Sequence, residues 1–187
     1  MKMPPSVERQ RTVIARNVAL LRQAEDLLAA VSDQVYADSP PGCAPHRVGG
    51  HMRHILEFYE CFLEGIAVSY IDYDARRRDA TVETDRAAAL DRVRWVIQQL
   101  EDCTKLLTDG NVFVRIEDAS NLALTDAYVE SSAARELAVL SSHTIHHFAL
   151  IAVTLQQHGV PVDPGFGVAP STLTWRQTVS FAVTIGA

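Results

Sequence analysis

The chain has only three cysteines in 187 residues, no surplus of basic side chains, no long uninterrupted apolar run and no glycine-rich phosphate loop. Each shortage excludes something. Cys43, Cys61 and Cys103 have neither CxxC spacing nor an even count, which argues against a disulfide framework and against a cysteine zinc site. A net charge of -6 offers no counterion-release handle on a phosphate backbone, so nucleic acid is not expected as a partner. The one basic cluster, Arg76 to Arg78, is flanked by Asp72, Asp74 and Asp79, and its field largely cancels within a Debye length of roughly 8 Å. No apolar segment reaches the ~20 residues that span a bilayer, so no membrane partner is expected either. The opening MKMPPSVERQ lacks the apolar core of a secretory signal, which sets the expectation of a cytoplasmic protein with reduced thiols. No GxSxG elbow and no serine in the surroundings of a nucleophile are found.

What is present is an ordinary balance of 48% hydrophobic and 21% charged residues, enough for one domain over residues 1–187 with a core of its own. Apolar residues Ile14, Val18, Leu21, Leu28 and Val31 recur at helical spacing and predict a first helix over about 5–35, with Pro4 and Pro5 suited to its first turn. ADSPPGCAP, residues 37–45, is read as a loop. A second helix is predicted over about 47–70, where Gly49 and Gly50 weaken the first turns by roughly 1 kcal/mol each relative to alanine. That penalty is tolerated where a backbone must approach a neighbour or a ligand. Residues 71–84 are read as a polar connection, and Thr84 as the cap of a third helix over about 84–108 that Gly110 stops. NVFVRIED alternates like a strand, and LALTDAYVE, residues 122–130, is its expected partner in a short β-hairpin. A fourth helix is predicted over about 132–158, capped by Ser131 or Ser132 and ended by Gly159, Pro161 and Pro164. The remaining tail is read as irregular or extended. The fold class expected is therefore all-α, a four-helix bundle, and bundles build metal sites from inward side chains of facing helices.

The stretch around which this reading turns is ELAVLSSHTIHHFALIAVTL, residues 136–155, in which His143 and His147 stand one turn apart in an apolar run. Positions i and i+4 share a helix face, so the two imidazoles can close on one ion. The third ligand is sought in RVGGHMRHILEFYECFL, residues 47–63, where His54 lies between apolar neighbours and His51 sits one turn earlier. Three imidazoles together in a dry core would be unfavourable by several kcal/mol unless partners or a metal satisfied them. His51 and His146 remain alternates, each able to replace a ligand or support one. Glu136 is two turns before His143 and can act as a base toward metal-activated water, or sit as an exposed first-turn carboxylate, the preferred reading. Glu57 is similar. Cys61, two turns past His54, offers a thiolate but is better read as a small core residue. His46 and His158 are read as solvent-facing. The Asp72–Asp79 segment is read as a solvated loop that, if functional, presents arginines to an anionic substrate.

GGHMRHILEFYE around His54, HTIHH at His143 to His147, and the spacing of nearly ninety residues between them resemble the DinB/YfiT-like four-helix-bundle proteins. The resemblance extends from the first helix to Leu155. It implies that His54, His143 and His147 bind one divalent metal, zinc or nickel before iron or copper, with water completing the sphere. The arginine and glycine usual after the final histidine are Phe148 and Ala149 here. The resemblance further implies a metalloenzyme acting on a small-molecule substrate, with transfer of a low-molecular-weight thiol ahead of metal-assisted hydrolysis. The other reading is a non-catalytic binding or interaction bundle with a structural or vestigial metal site. Apolar side chains left over at the surface and the strand-like 112–116 segment set the expectation of a homodimer under both.

Overall fold

The computed structural model describes residues 6–40, 47–103, 111–116, 123 and 127–185. Among them the chain is largely helical with a small sheet. Four long helices carry the core: α1 (Ser6–Ala30), α3 (Val48–Ile66), α5 (Arg86–Cys103) and α6 (Ala133–Gln157). Helix α1 packs against α5 and α6, and α3 packs against the same two. The apolar stripe predicted for the first helix faces inward, with Ile14, Leu21 and Leu28 buried, and Ile55 and Phe62 from α3, Val93 and Leu100 from α5, and Leu140 and Ile151 from α6 are buried with it. Helix α6 is long and apolar enough to cross a membrane by composition, but its inner face is spent on this core.

The shorter elements are α2 (Asp33–Ala37), β1 (Tyr70–Ile71), α4 (Ala80–Thr84), β2 (Asn111–Arg115), β3 (Tyr128–Ser132) and α7 (Pro170–Ile185). The first predicted helix is thus two, because the Ser32 hydroxyl accepts from Val35 N and starts α2 afresh. Residues 71–84 are not merely a connection: β1 and α4 fall within them. The third helix starts at Arg86 and is capped by Asp85, which accepts from Ala87 N and Ala88 N, whereas Thr84 ends α4. The expected hairpin is present as β2 and β3, antiparallel with Val112 opposite Ser131, and β1 adds to β2 in parallel to give the order β1-β2-β3. The tail read as irregular contains α7, which begins on Pro170, a residue favoured in a first helical turn where no N–H is required. Its TLTWRQTVSFAVTI sequence carries the β-branched residues of a strand, and their alternation misdirects a reading by period. The expectations placed on Pro4 and Pro5, on residues 41–46 including His46, and on Gly110 lie outside the described residues.

Two glycines place α3. A Cβ on Gly49 would collide with the backbone oxygen of Glu83, and one on Gly65 would lie 2.6 Å from the Tyr70 oxygen. The close backbone approaches bring α4 and β1 onto α3, so the 71–84 segment lies over one side of that helix. Gly50 has only ordinary contacts, the nearest with Arg47 Cγ at 3.4 Å. Gly49→Ala is therefore expected to destabilise by about 1–3 kcal/mol through overpacking. Gly50→Ala, placed in the same helix without a clash, should be neutral or stabilising by up to about 1 kcal/mol. Urea midpoints of the two variants test this, and equal destabilisation by both would contradict it.

Candidate metal centre

Helices α3 and α6 lie side by side, and their facing sides bring His54, His143 and His147 together, each half-buried, with one ligand-capable atom apiece all within 4.8 Å of one another. Ring centroids are 4.9 Å apart for His54 and His143 and 4.6 Å for each of the other two pairs. Nε2 of His54 stands 3.1 Å from Nε2 of His143. Two nitrogens at ~2.0–2.1 Å from one tetrahedral ion stand roughly 3.3 Å apart, so this pair already spans one edge of such a site. Closing all three onto one point from separations of up to 4.8 Å takes rotation of an imidazole.

The protonation states suit ligation. Burial pushes all three rings well below their ordinary value, His54 and His143 to about 4 and His147 to about 3. Each ring also feels another member of the trio: His147 acts on His54, His54 on His143 and His143 on His147. Neutral imidazole is the metal-binding form. The tautomers follow from the contacts. Arg76 Nη1 lies 3.0 Å from His54 Nδ1, and a guanidinium can only donate, so that nitrogen accepts. The neutral His54 ring then carries its proton on Nε2 and donates to His143 Nε2. The His143 proton is left on Nδ1, a buried atom with no hydrogen-bond partner among the described residues. A buried N–H without an acceptor is destabilising by about 1–3 kcal/mol, so the metal-free arrangement of this trio is strained in its hydrogen bonding.

The alternates fall differently. His51 Nδ1 is 3.1 Å from His147 Nδ1, which places His51 behind a ligand rather than among the three. His146 is exposed, its ring 5.2 Å from that of His147. Phe58, one turn after His54, stacks on His143 with centroids 4.2 Å apart and is itself covered by Tyr73 at 5.1 Å. The expected exposed carboxylates are buried instead. Glu136 accepts from Tyr73 Oη at 3.0 Å and Ser131 Oγ at 2.5 Å, and Glu57 accepts from Asp79 N at 2.8 Å. Both hold the 72–79 segment rather than facing water. That segment is further tied by the Arg115–Asp72 ion pair at 2.8 Å and by Arg77 to Glu64, so it is an anchored strap and not a solvated loop. It carries Tyr73 and Arg76 to the histidines. His158 is half-buried, and its Nε2 finds no partner among the described residues, contrary to the solvent-facing expectation.

Cys61 is a buried free thiol whose pKa rises to about 11, through burial first and the Glu64 charge second. The core reading holds. From an ordinary value of 9.0, this lowers the thiolate fraction about 100-fold. With Cys43 and Cys103 replaced by serine, disulfide-reagent labelling of the folded chain at pH 8 should be slower than that of the unfolded chain by at least that factor. Equal rates would show an exposed, ionised Cys61.

Fold and site together define a largely helical protein in which three histidines from two helices lie close enough to hold a metal ion. No family model matches the chain. It is 33% identical over 109 residues to FK506-binding protein 5 of Rhizopus delemar, a match covering 57% of this chain and 27% of that protein. The chain therefore spans about a quarter of the length of that relative.

Proposed function

We propose that the chain is a divalent-metal-binding four-helix bundle of the DinB/YfiT-like kind and a metalloenzyme, with His54, His143 and His147 as the protein ligands. The observation that carries this is the convergence of three neutral imidazoles from α3 and α6, one of them with an orphaned buried nitrogen. The pairwise packing of α1, α3, α5 and α6 supports the bundle. Three protein ligands, all imidazole, leave coordination positions open, the arrangement of catalytic rather than closed structural sites. A divalent ion held there, zinc or nickel in the first instance, supplies a Lewis acid that lowers the pKa of a thiol or of water toward neutrality.

The chain's own groups do the rest. A His147 that ligates through Nε2 keeps its proton on Nδ1, which His51 Nδ1, 3.1 Å away, is placed to accept. Phe58 and Tyr73 wall the histidines on one side and exclude water. Glu136, fixed by two hydroxyl donors, holds Tyr73 in place and is not positioned as a free base. Cys61, protonated and buried, leaves the thiol of a transfer reaction to come from a small molecule. Thiol transfer onto a small-molecule acceptor is thus the first chemistry proposed, and metal-assisted hydrolysis the second. We place the protein in the cytoplasm and as a homodimer, acting on neither nucleic acid nor membranes; the exposed apolar side chains of Val153 and Trp175 support self-association.

Elemental analysis of protein purified without an affinity tag tests the centre. About one divalent ion per chain is expected. A metal-free protein that takes up no zinc, nickel, iron or copper would overturn the reading. A thiol-consumption screen with electrophiles then separates transferase from hydrolase.

A further inference from the structure

Arg76 differs from Arg77 beside it. Arg77 pairs with Glu64, yet among the described residues no carboxylate lies within 4.0 Å of the half-buried Arg76 guanidinium. Its Cζ lies 4.7 Å from the centre of the Phe58 ring and its Nη1 3.0 Å from His54 Nδ1. A cation has been brought to a cluster of candidate metal ligands and given no anion of its own.

Two consequences follow for the centre proposed above. Three neutral imidazoles bring no negative charge, so a divalent ion beside Arg76 makes a site of net charge about +3. The buried carboxylates on the same helices are already engaged, Glu57 by Asp79 N, Glu60 by Arg92, and Glu136 by the Tyr73 and Ser131 hydroxyls. The second consequence concerns the hydrogen bond. For Nε2 of His54 to present a lone pair, its proton must sit on Nδ1, where it meets the Arg76 donor head-on. Ligation through Nε2 and the Arg76–His54 hydrogen bond therefore exclude each other. With His54 ligating through Nε2, the guanidinium would lose that hydrogen bond, and the Phe58 face would keep it nearby with its donors open.

We propose that Arg76 is the anion-recognition group of this centre, so that the molecule bound beside the histidines carries a carboxylate gripped by the guanidinium fork. The planar fork matches a carboxylate in two parallel hydrogen bonds, which a lysine cannot reproduce. The proposal rests on the metal reading, and it makes metal and anion cooperative: with a divalent ion held by the histidines the arginine would be free to bind the anion, and the carboxylate would offset part of the positive charge of both.

The test uses the full chain loaded with Co2+, whose visible spectrum reports its surroundings, with acetate and benzoate as probes and acetamide as the neutral control. Wild type should bind one Co2+ and then show a saturable spectral change with the carboxylates and none with acetamide. Arg76→Gln should bind Co2+ as tightly or several-fold more tightly, having lost both the competing hydrogen bond and the repulsion. Its carboxylate affinity should fall about tenfold or more, with Arg76→Lys in between. Thermal unfolding of both metal-free variants checks that they fold, and if the glutamine variant does not, the lysine variant decides. Co2+ binding with carboxylate affinity equal in wild type and variants, or with no response to carboxylate in wild type, overturns the proposal and leaves the metal reading standing. Failure of wild type to bind Co2+, Zn2+ or Ni2+ removes both.

Discussion

Replacing His143 with alanine is expected to abolish stoichiometric metal binding, weakening it by well over the ~10–100-fold that loss of an outer-sphere partner produces. The reason is geometric. His143 Nε2 lies 3.1 Å from His54 Nε2, its other nitrogen has no partner among the described residues, and its ring is clamped against Phe58. Alanine at His54 or His147 should have the same effect, because two imidazoles on one ion leave it open to water and chelators. A graded response in the neighbouring positions distinguishes ligands from supports. His51→Ala should retain one ion per chain but bind it about 10–100-fold more weakly, since only the orientation and tautomer of His147 are lost. His146→Ala, removing an exposed ring, should bind metal as wild type does. Chelator competition on tag-free protein gives all five affinities, with thermal unfolding of the metal-free forms to separate ligation from folding. Unchanged metal content in the His143 variant would sink the assignment.

The histidine trio was legible because it needed only two facts that a sequence carries: one-turn spacing within a helix, and a second helix with a histidine on its apolar face. The core helices were legible for the same reason, their stripes being local periodicities. What escaped was non-local. Arg76 reads as one of three arginines among three aspartates, and nothing in that run says that Arg77 turns to Glu64 while Arg76 turns to His54. The anchors that decide it lie elsewhere in the chain, Glu57 on α3, Arg115 on β2 and Glu136 on α6. Glu136 and Glu57 read as surface carboxylates for the same reason, since their partners Tyr73 and Asp79 belong to a segment whose path a sequence does not draw. β1 is two residues long and pairs in parallel with a strand some forty residues on, a match no periodicity can announce. Helix α7 was obscured by composition, its threonines and valines favouring a strand wherever packing does not decide.

The register that lets the trio meet depends on a second, fully buried device, and Asn17→Leu is expected to destabilise the protein by about 2–4 kcal/mol by breaking it. Asn17 on α1 donates to Leu137 O on α6 at 3.0 Å and to Val13 O at 2.8 Å, and it accepts from Tyr59 Oη on α3 at 2.7 Å. Tyr59 in turn lies 3.1 Å from Thr144 Oγ1, the residue beside His143. One amide thus joins three of the four long helices at the level of the histidines, and burial raises the Tyr59 pKa so that its hydroxyl stays protonated as the donor. Leucine fills the space but turns hydrocarbon toward that hydroxyl. Tyr59→Phe should lower stability by a smaller amount, about 1–2 kcal/mol, because Asn17 keeps both backbone acceptors. The double variant should fall short of the sum by at least about 1 kcal/mol, since an apolar pair leaves no orphaned polar group behind. Urea midpoints with unchanged slopes give the three values, and strict additivity would show that the groups do not act as one. Metal affinity should follow the same order, because the Tyr59–Thr144 contact helps set how α6 lies against α3, and with it the His54–His143 edge.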